Sequence, residues 1–314
     1  MTLLAEVQQT QVPQPQATVS FKNILLATDF SDASEKAFNY ATAIAHLNGS
    51  KIYVVHVISP EFTSFIPEPP RDWVRHEAER EMEIMANRSE LKSIEHEMVL
   101  RTGSVWSVLS AEIHEKNIEL LVLGTHGRGV LKKVVLGSVA EEVLRRAGCP
   151  VITVGPHIDV PSSTTGEFHT ILFATDFHPA SAKALEYALL LANQFQAKLI
   201  LLHLLPSEAL PGPGLTFYDE KTITEWQATV RASTKQKLRN LLPASIKLSS
   251  ETGCVVGFDF VAEGILKVAD KQQADLIVMG AHRPLSAKVS AHTPKTMSYE
   301  VICHSKCPVL TVSR

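Results

Sequence analysis

Residues 23–58, NILLATDFSDASEKAFNYATAIAHLNGSKIYVVHVI, and residues 170–205, TILFATDFHPASAKALEYALLLANQFQAKLILLHLL, align without a gap. The tetrapeptide ATDF, an A-x-x-K-A pattern, a Tyr-Ala pair and the histidines His56 and His203 fall in register. Further on, ELLVLGTHGRG (119–129) matches DLIVMGAHRPL (275–285), and EEVLRRAGCPVITV (141–154) matches YEVICHSKCPVLTV (299–312). The chain is therefore a tandem of two homologous halves of about 145 residues each, an ordinary domain size. GPHIDVPSSTTGEF (155–168), with its Pro, Ser, Thr and Gly, reads as the connection. The expected division is a tail at 1–20, a first domain at 21–155, a linker at 156–168 and a second domain at 169–314.

Within the first half, NILLAT, KIYVVHV, EHEMVLR, ELLVLG and PVITV are short, β-branched and continuously apolar, as strands covered on both faces must be. Between them, helical patterns run over Asp32–Leu47, Asp72–Ser93, Val105–Lys116 and Leu136–Arg146. Ser31 and Ser104 stand where N-caps belong, and Gly49 and Gly148 where helices close. Strands alternating with helices predict an α/β fold, a doubly wound parallel sheet in each half. Ligands of such sheets sit beyond the carboxyl ends of the strands, where the strand order reverses.

The bulk numbers exclude several classes. With 45% apolar and 20% charged residues the chain is a normal globular mixture, and a net charge of -3 gives no general pull toward nucleic acid or anionic lipid. No apolar run is long enough to cross a bilayer. The opening MTLLAEVQQTQVPQPQATVS reads as a loose Gln- and Pro-containing tail rather than a signal peptide. Cys149, Cys254, Cys303 and Cys307 have neither zinc-ribbon nor secreted-framework spacing, so a reduced, cytoplasmic setting is expected.

The chemistry concentrates in GTHGRGVLKKVVLGS (124–138). Gly124 ends the fourth strand and Gly127 follows closely, which permits positive φ and a close approach to a ligand. Successive N–H groups in such a turn form an anion-binding concavity. Gly137 and Ser138 then open a helix, whose free N–H groups and dipole favour phosphate. Arg128, Lys132 and Lys133 add positive charge. The competing reading is a flexible turn that binds nothing. There is no G-x-x-x-x-G-K-[ST] and no G-x-G-x-x-G after the first strand, so neither a P-loop nor a Rossmann site is present.

G124-x2-G127-x9-G137-S138 after a fourth strand, with ATDFS after the first, closely resembles the nucleotide motif of universal stress proteins. The resemblance spans both halves. It implies a five-stranded sheet in the order 3-2-1-4-5 in each and, in the first, an ATP site with Mg²⁺. By resemblance, Ala27, Thr28 and Asp29 line the adenine and ribose side, and Val57 contacts the adenine. Gly124, Thr125, His126, Gly127, Arg128 and Gly129 wrap the ribose and phosphates, and Gly137, Ser138, Val139 and Ala140 hold the phosphates. The second half departs from the motif: Gly280 remains, but Arg283 stands for Gly127, Pro284 follows it, and Lys295 and Thr296 replace Gly137 and Ser138. A Cβ at two of these positions and a lost N–H at Pro284 predict a silent second domain.

Other residues carry competing readings. Asp29 and Asp176 are ligand contacts or capping carboxylates. His56 and His203, inside apolar strands, read as packed core residues. His126 lies in the glycine loop, yet no carboxylate is clearly partnered to it in sequence. Cys303 and Cys307 read as packing residues, with Cys303 also a candidate modifiable thiol. The charged stretch 71–97 reads as a solvated helix face, and the Pro-rich segments 59–70 and 205–220 as connectors or docking loops. The expected whole is a cytoplasmic ATP-binding stress sensor or regulator that engages an unknown protein partner, neither nucleic acid nor membrane. Its last strands CPVITV and CPVLTV pair with each other, and a further homodimer is left open. A slow ATPase or phosphotransfer enzyme at the same site is the alternative.

Overall fold

The computed structural model describes residues 21–59, 71–126, 136–155, 158, 166–206, 219–243, 252–281 and 297–313. The tail, most of both Pro-rich segments, the loop residues Gly127, Arg128 and Gly129, and Arg283, Pro284, Lys295 and Thr296 lie outside them. In the first half the elements are β1 (Asn23–Ala27), α1 (Asp32–Asn48), β2 (Lys51–Ile58), α2 (Arg71–Ala86), β3 (His96–Thr102), α3 (Val105–Glu115), β4 (Leu120–Gly124), α4 (Ser138–Arg146) and β5 (Val151–Val154). The second repeats the pattern with β6 (Thr170–Ala174), α5 (Pro179–Gln194), β7 (Lys198–Leu205), α6 (Glu220–Asn240), β8 (Thr252–Phe258), α7 (Val261–Gln272), β9 (Leu276–Ala281), α8 (Met297–His304) and β10 (Val309–Ser313).

The strand order is β3-β2-β1-β4-β5-β10-β9-β6-β7-β8. Each half thus has the expected 3-2-1-4-5 order, with all its strands parallel. The halves join edge to edge. β10 pairs antiparallel with β5, setting Leu310 against Ile152, Val309 against Thr153 and Thr311 against Val151. Each half therefore covers the edge that the other would leave open to foreign strands. The Thr153 and Thr311 hydroxyls donate across this seam to Val309 O (3.2 Å) and Val151 O (3.4 Å).

The core is continuous across the seam on both faces. One face carries Ile24, Phe38, Ile152, Phe173, Val278 and Leu310, the other Leu25, Val55, Val151, Leu172, Met279 and Val309, all buried. Strand residues alternate between these faces, as the two-residue strand period requires. Equivalent aromatics cross between the halves in matched pairs: Tyr40 stacks on Phe168 at 5.6 Å, and Phe21 on Tyr187 at 5.5 Å. Burial raises both tyrosine hydroxyls above their ordinary pKa of 10.0.

Helix ends follow local chemistry. Ser31 caps α1 by accepting the Ser34 N–H, and Gly49 ends it at φ 61, a left-handed conformation glycine adopts without cost. Three expectations need correction. Ser104 precedes α3 but makes no side-chain cap. Gly148 does not close α4, which ends at Ala147 in extended conformation. The second helix stops at Ala86 rather than Ser93. There the Asn87 amide donates to Glu83 O (2.8 Å), and Arg88 turns extended to place its guanidinium over Phe38 (4.1 Å) and against Glu35. The buried Leu91 follows in a short 3₁₀ turn, so the Arg88 contacts with α1 and the burial of Leu91 override the helical pattern.

Because the two halves share one core, urea unfolding followed by circular dichroism and by fluorescence of Trp73, Trp106 and Trp226 should give superimposable curves. Leu310→Ala should lower stability by about 2–5 kcal/mol in that single transition. Two separate transitions would show that the seam does not couple the halves.

Candidate functional site

At the end of β1 the chain makes a tight turn that its own side chains hold. Thr28 N–H donates to Val55 O (3.0 Å), while Thr28 Oγ1 accepts the Phe30 N–H (3.0 Å) and donates to Ser34 Oγ (3.2 Å). Asp29 Oδ1 accepts the Ser31 N–H at 3.1 Å. Phe30 sits at φ 59, unusual for a bulky residue, and its ring packs on His56 at 4.5 Å. His56 Nδ1 lies 2.7 Å from Thr28 O. The second half repeats this almost bond for bond: Phe177 at φ 64 against His203 (4.6 Å), His203 Nδ1 at 2.7 Å from Thr175 O, and Asp176 Oδ1 accepting the His178 N–H at 3.0 Å. The two histidines are braces for a strained turn, and both aspartates hold backbone. Sequence reasoning left the phenylalanine unremarked, although ATDF in both halves was its signal.

Three segments of the first half come together here. Ser31 Oγ donates to His126 O at 3.1 Å, tying the β1 turn to the end of β4. The Gly137 N–H donates to Thr125 O at 2.9 Å, tying the start of α4 to the same point. Ala27, Val57, Val139 and Ala140 all pack on one face of the sheet. Of the residues singled out from the sequence, Ala27, Thr28, Asp29, Gly124, Thr125, His126, Gly137, Ser138, Val139 and Ala140 thus converge. Val57 stands one strand further out, its backbone paired with Arg101 of β3. Gly127, Arg128 and Gly129 lie outside the described residues.

The glycines need a different account from the sequence expectation. A Cβ on Gly124 would fall 2.8 Å from the backbone of Ala33 and Ser34, so its bareness admits the start of α1 rather than a ligand. Gly280 meets the start of α5 in the same way, with Ser181 N at 2.5 Å. This packing need explains why Gly280 persists where the rest of the motif does not. A Cβ on Gly137 would meet Thr125 O at 2.9 Å. Both described glycines of the loop serve close packing of the protein on itself.

The start of α4 is open. Gly137, at φ -64 and ψ 148, supplies no side-chain cap, and Ser138 is exposed as the first helical residue. At a helix start the first N–H groups, here those of Ser138, Val139 and Ala140, have no acceptor within the helix, and Gly137 gives them no side-chain cap. Ala140 itself is buried and can offer only its N–H. Close by, Thr125 Oγ1 bonds His126 Nδ1 (2.8 Å) and Val154 O (3.3 Å). His126 Nε2 is buried and has no partner among the described residues.

A residue of the second half reaches this point. Tyr299 Oη, from α8, accepts the Leu136 N–H at 3.2 Å, immediately before the α4 cap. The equivalent position in the first half is Glu141, so the tie runs one way. No sequence signal marked Tyr299. The four cysteines are free thiols. Cys303 and Cys307 are buried, and burial pushes the Cys307 thiol up to about 11, so both pack rather than react. Among the described residues no helix is long and apolar enough to cross a membrane and no His, Cys, Asp and Glu cluster could hold a metal.

Two doubly wound units joined at their edge strands define a tandem α/β class, and sequence similarity gives its family. The sequence profile of the universal stress protein family matches residues 20–155 and again 167–313. The chain belongs to the universal stress protein family, with two tandem domains. A Thermus aquaticus universal stress protein is 34% identical over 137 residues, 43% of this chain and 98% of its own length. A Staphylococcus aureus (strain USA300) relative described in the same terms is 32% identical over 144 residues, 43% of this chain and 85% of its own. In structure, a universal stress protein from Archaeoglobus fulgidus covers 94% of this chain and 100% of its own at TM-score 0.65 and 21% identity, which shows the shared fold.

Two outcomes follow from this geometry. Gly124→Ala and Gly280→Ala should each destabilise the protein by about 1–3 kcal/mol, with or without any ligand, in urea unfolding. Equal stability in either variant would contradict the packing role. For His203, burial holds the imidazole below its ordinary 6.5. The unfolded chain therefore takes up a proton first, and this contribution to stability is complete above pH 6.5 and lost as pH falls toward the folded value. His203→Gln should flatten the acid side of the stability profile; an unchanged slope would remove His203 as its source.

Proposed function

We propose that the first domain binds one ATP at its switch point and that the protein acts as a nucleotide-dependent stress sensor or regulator. The observation that carries this reading is the uncapped start of α4, held by Thr125 O beside the β1 turn. The free N–H groups of Ser138 and Val139 suit a phosphate group. The Gly127–Gly129 turn is assigned to the remaining phosphate contacts on its sequence pattern. Ala27 and Val57 offer apolar surface on the face an adenine ring would need, and Asp29, with one oxygen on Ser31, keeps the other for a ribose hydroxyl. Family membership supports the same site.

Mg²⁺ enters this reading as a companion of the phosphates, its first ligands being phosphate oxygens and water. His126 Nε2, without a partner among the described residues, is a polar group left for the ligand. Binding rather than turnover is the favoured activity, because phosphoryl transfer needs a positioned base and a metal-organised γ-phosphate. The second domain serves as scaffold and, through Tyr299, steadies the α4 cap. A cytoplasmic location and a protein partner complete the proposal.

Ser138→Pro isolates the backbone donor. Proline suits the first position of a helix, Gly137 already has the extended conformation that precedes it, and α5 begins with Pro179. The helix should persist while one N–H is lost, weakening ATP binding by about tenfold or more in calorimetry. Tyr299→Phe should weaken it by about threefold. Mass spectrometry of the purified protein and titration should find one nucleotide per chain. Unchanged affinity in Ser138→Pro, or two nucleotides per chain, would overturn the assignment.

A further inference from the structure

Among the described residues, the buried side-chain polar atoms without a hydrogen-bond partner are Ser59 Oγ, Glu112 Oε2 and His126 Nε2. Glu112 has Arg101 Nε 3.1 Å from its other oxygen, and His126 bonds Thr125 through Nδ1. Ser59 has no second polar side-chain atom, so its side chain makes no hydrogen bond at all. Only 4% exposed, it follows β2 at its carboxyl end. A hydroxyl kept from water without a bond costs stability, and an incoming ligand that bonds it recovers that cost. We propose that Ser59 reads the base in the first domain, its Oγ accepting a hydrogen bond from the exocyclic 6-amino group of adenine. This contact is additional to the ATP site proposed above and rests on that reading.

The second half shows where this position looks. Pro206, the counterpart of Ser59, lines a cavity at the carboxyl ends of β6, β7 and β9 together with Ala174, Leu204, Val261 and Met297. The counterparts of those four are Ala27, Val57, Val105 and Val139, and all of them pack on one face of the first sheet. The strands end alike in the two halves, with the Gly103 N–H on Ile58 O and the Asp259 N–H on Leu205 O, each at 3.1 Å. Of the five positions in the first half, Ser59 alone carries a polar side chain.

The order of contacts selects the base atom. Phosphate at the start of α4 and ribose at Asp29 leave the ring to cross from Ala27 of β1 to Val57 of β2, neighbouring strands about 4.8 Å apart. The edge of adenine turned away from the ribose carries the 6-amino group. That edge then reaches the end of β2, where Ser59 stands two residues beyond Val57. The amino group donates and the hydroxyl can accept, so the two are matched. The second half offers no hydroxyl at this place: Pro206 replaces Ser59, and Leu204 is larger than Val57. Leu204 has its room because Gly257 stands for Arg101, with Val268 for its partner Glu112. A Cβ on Gly257 would fall 2.8 Å from a Leu204 methyl.

Calorimetric titration of the full chain with ATP and with purine riboside triphosphate, which lacks only the 6-amino group, tests this. The wild type should prefer ATP by about three- to tenfold. Ser59→Ala should bind both nucleotides alike, with the affinity the wild type has for the analogue. Its urea midpoint should not fall, because the deleted hydroxyl bonds nothing in the folded chain. The assignment fails if the wild type binds the two alike, if Ser59→Ala keeps the preference, or if Ser59→Ala unfolds at clearly lower urea. A wild type that binds neither nucleotide refutes the ATP site and Ser59 with it. One that binds ATP without the preference refutes Ser59 alone.

Discussion

The antiparallel pairing of β5 with β10 is the interaction on which the rest of the molecule depends. Each five-stranded sheet would otherwise end on an apolar edge with unpaired backbone groups, open to any passing strand. Joining the edges through Leu310, Ile152 and two reciprocal threonine bonds makes one sheet and lets the core run unbroken on both faces. The arrangement has the logic of a symmetric dimer, in which the same patch serves both partners, carried out within one chain. Tyr40 on Phe168 and Tyr187 on Phe21 are its matched contacts. Because strands are parallel within a half and antiparallel across the seam, the two switch points face opposite edges of the sheet.

That symmetry is broken where chemistry is concerned. Both halves keep the braced turn after their first strand, because it is a packing solution: a left-handed phenylalanine on a histidine, and a glycine that admits the next helix. The halves diverge in what they offer a ligand. In the first, a helix start without a side-chain cap stands beside the buried His126, and Arg101 pairs with Glu112. In the second, the ion pair gives way to Gly257 and Val268, and Leu204 fills inward. Tyr299 then joins the halves unequally, since the first domain has Glu141 at that place.

The strand order and the seam were expected only from the resemblance to universal stress proteins. The repeat and the doubly wound parallel sheets were legible in the sequence because apolar runs of strand length, separated by helical patterns, leave few ways to bury both faces of a sheet. So was the convergence of residues 27–29 with 124–126 and 137–140, since a doubly wound sheet brings the ends of its first and fourth strands together. Helix ends were read less well. The second helix stops early because Arg88 finds Phe38 and Glu35 on α1, a contact distant in sequence, and Leu91 is buried in the core.

The sequence by itself determined the tandem repeat and the alternation of strands and helices, because periodicity is a local property that the chain carries unfolded. Only the tertiary structure decided what each of those residues is for. Gly124 and Gly280 answer to neighbouring helices, His56 and His203 to strained turns, and Tyr299 to a backbone N–H 163 residues away. Such roles depend on which atoms come into contact, and contact of that kind exists only once the chain has folded.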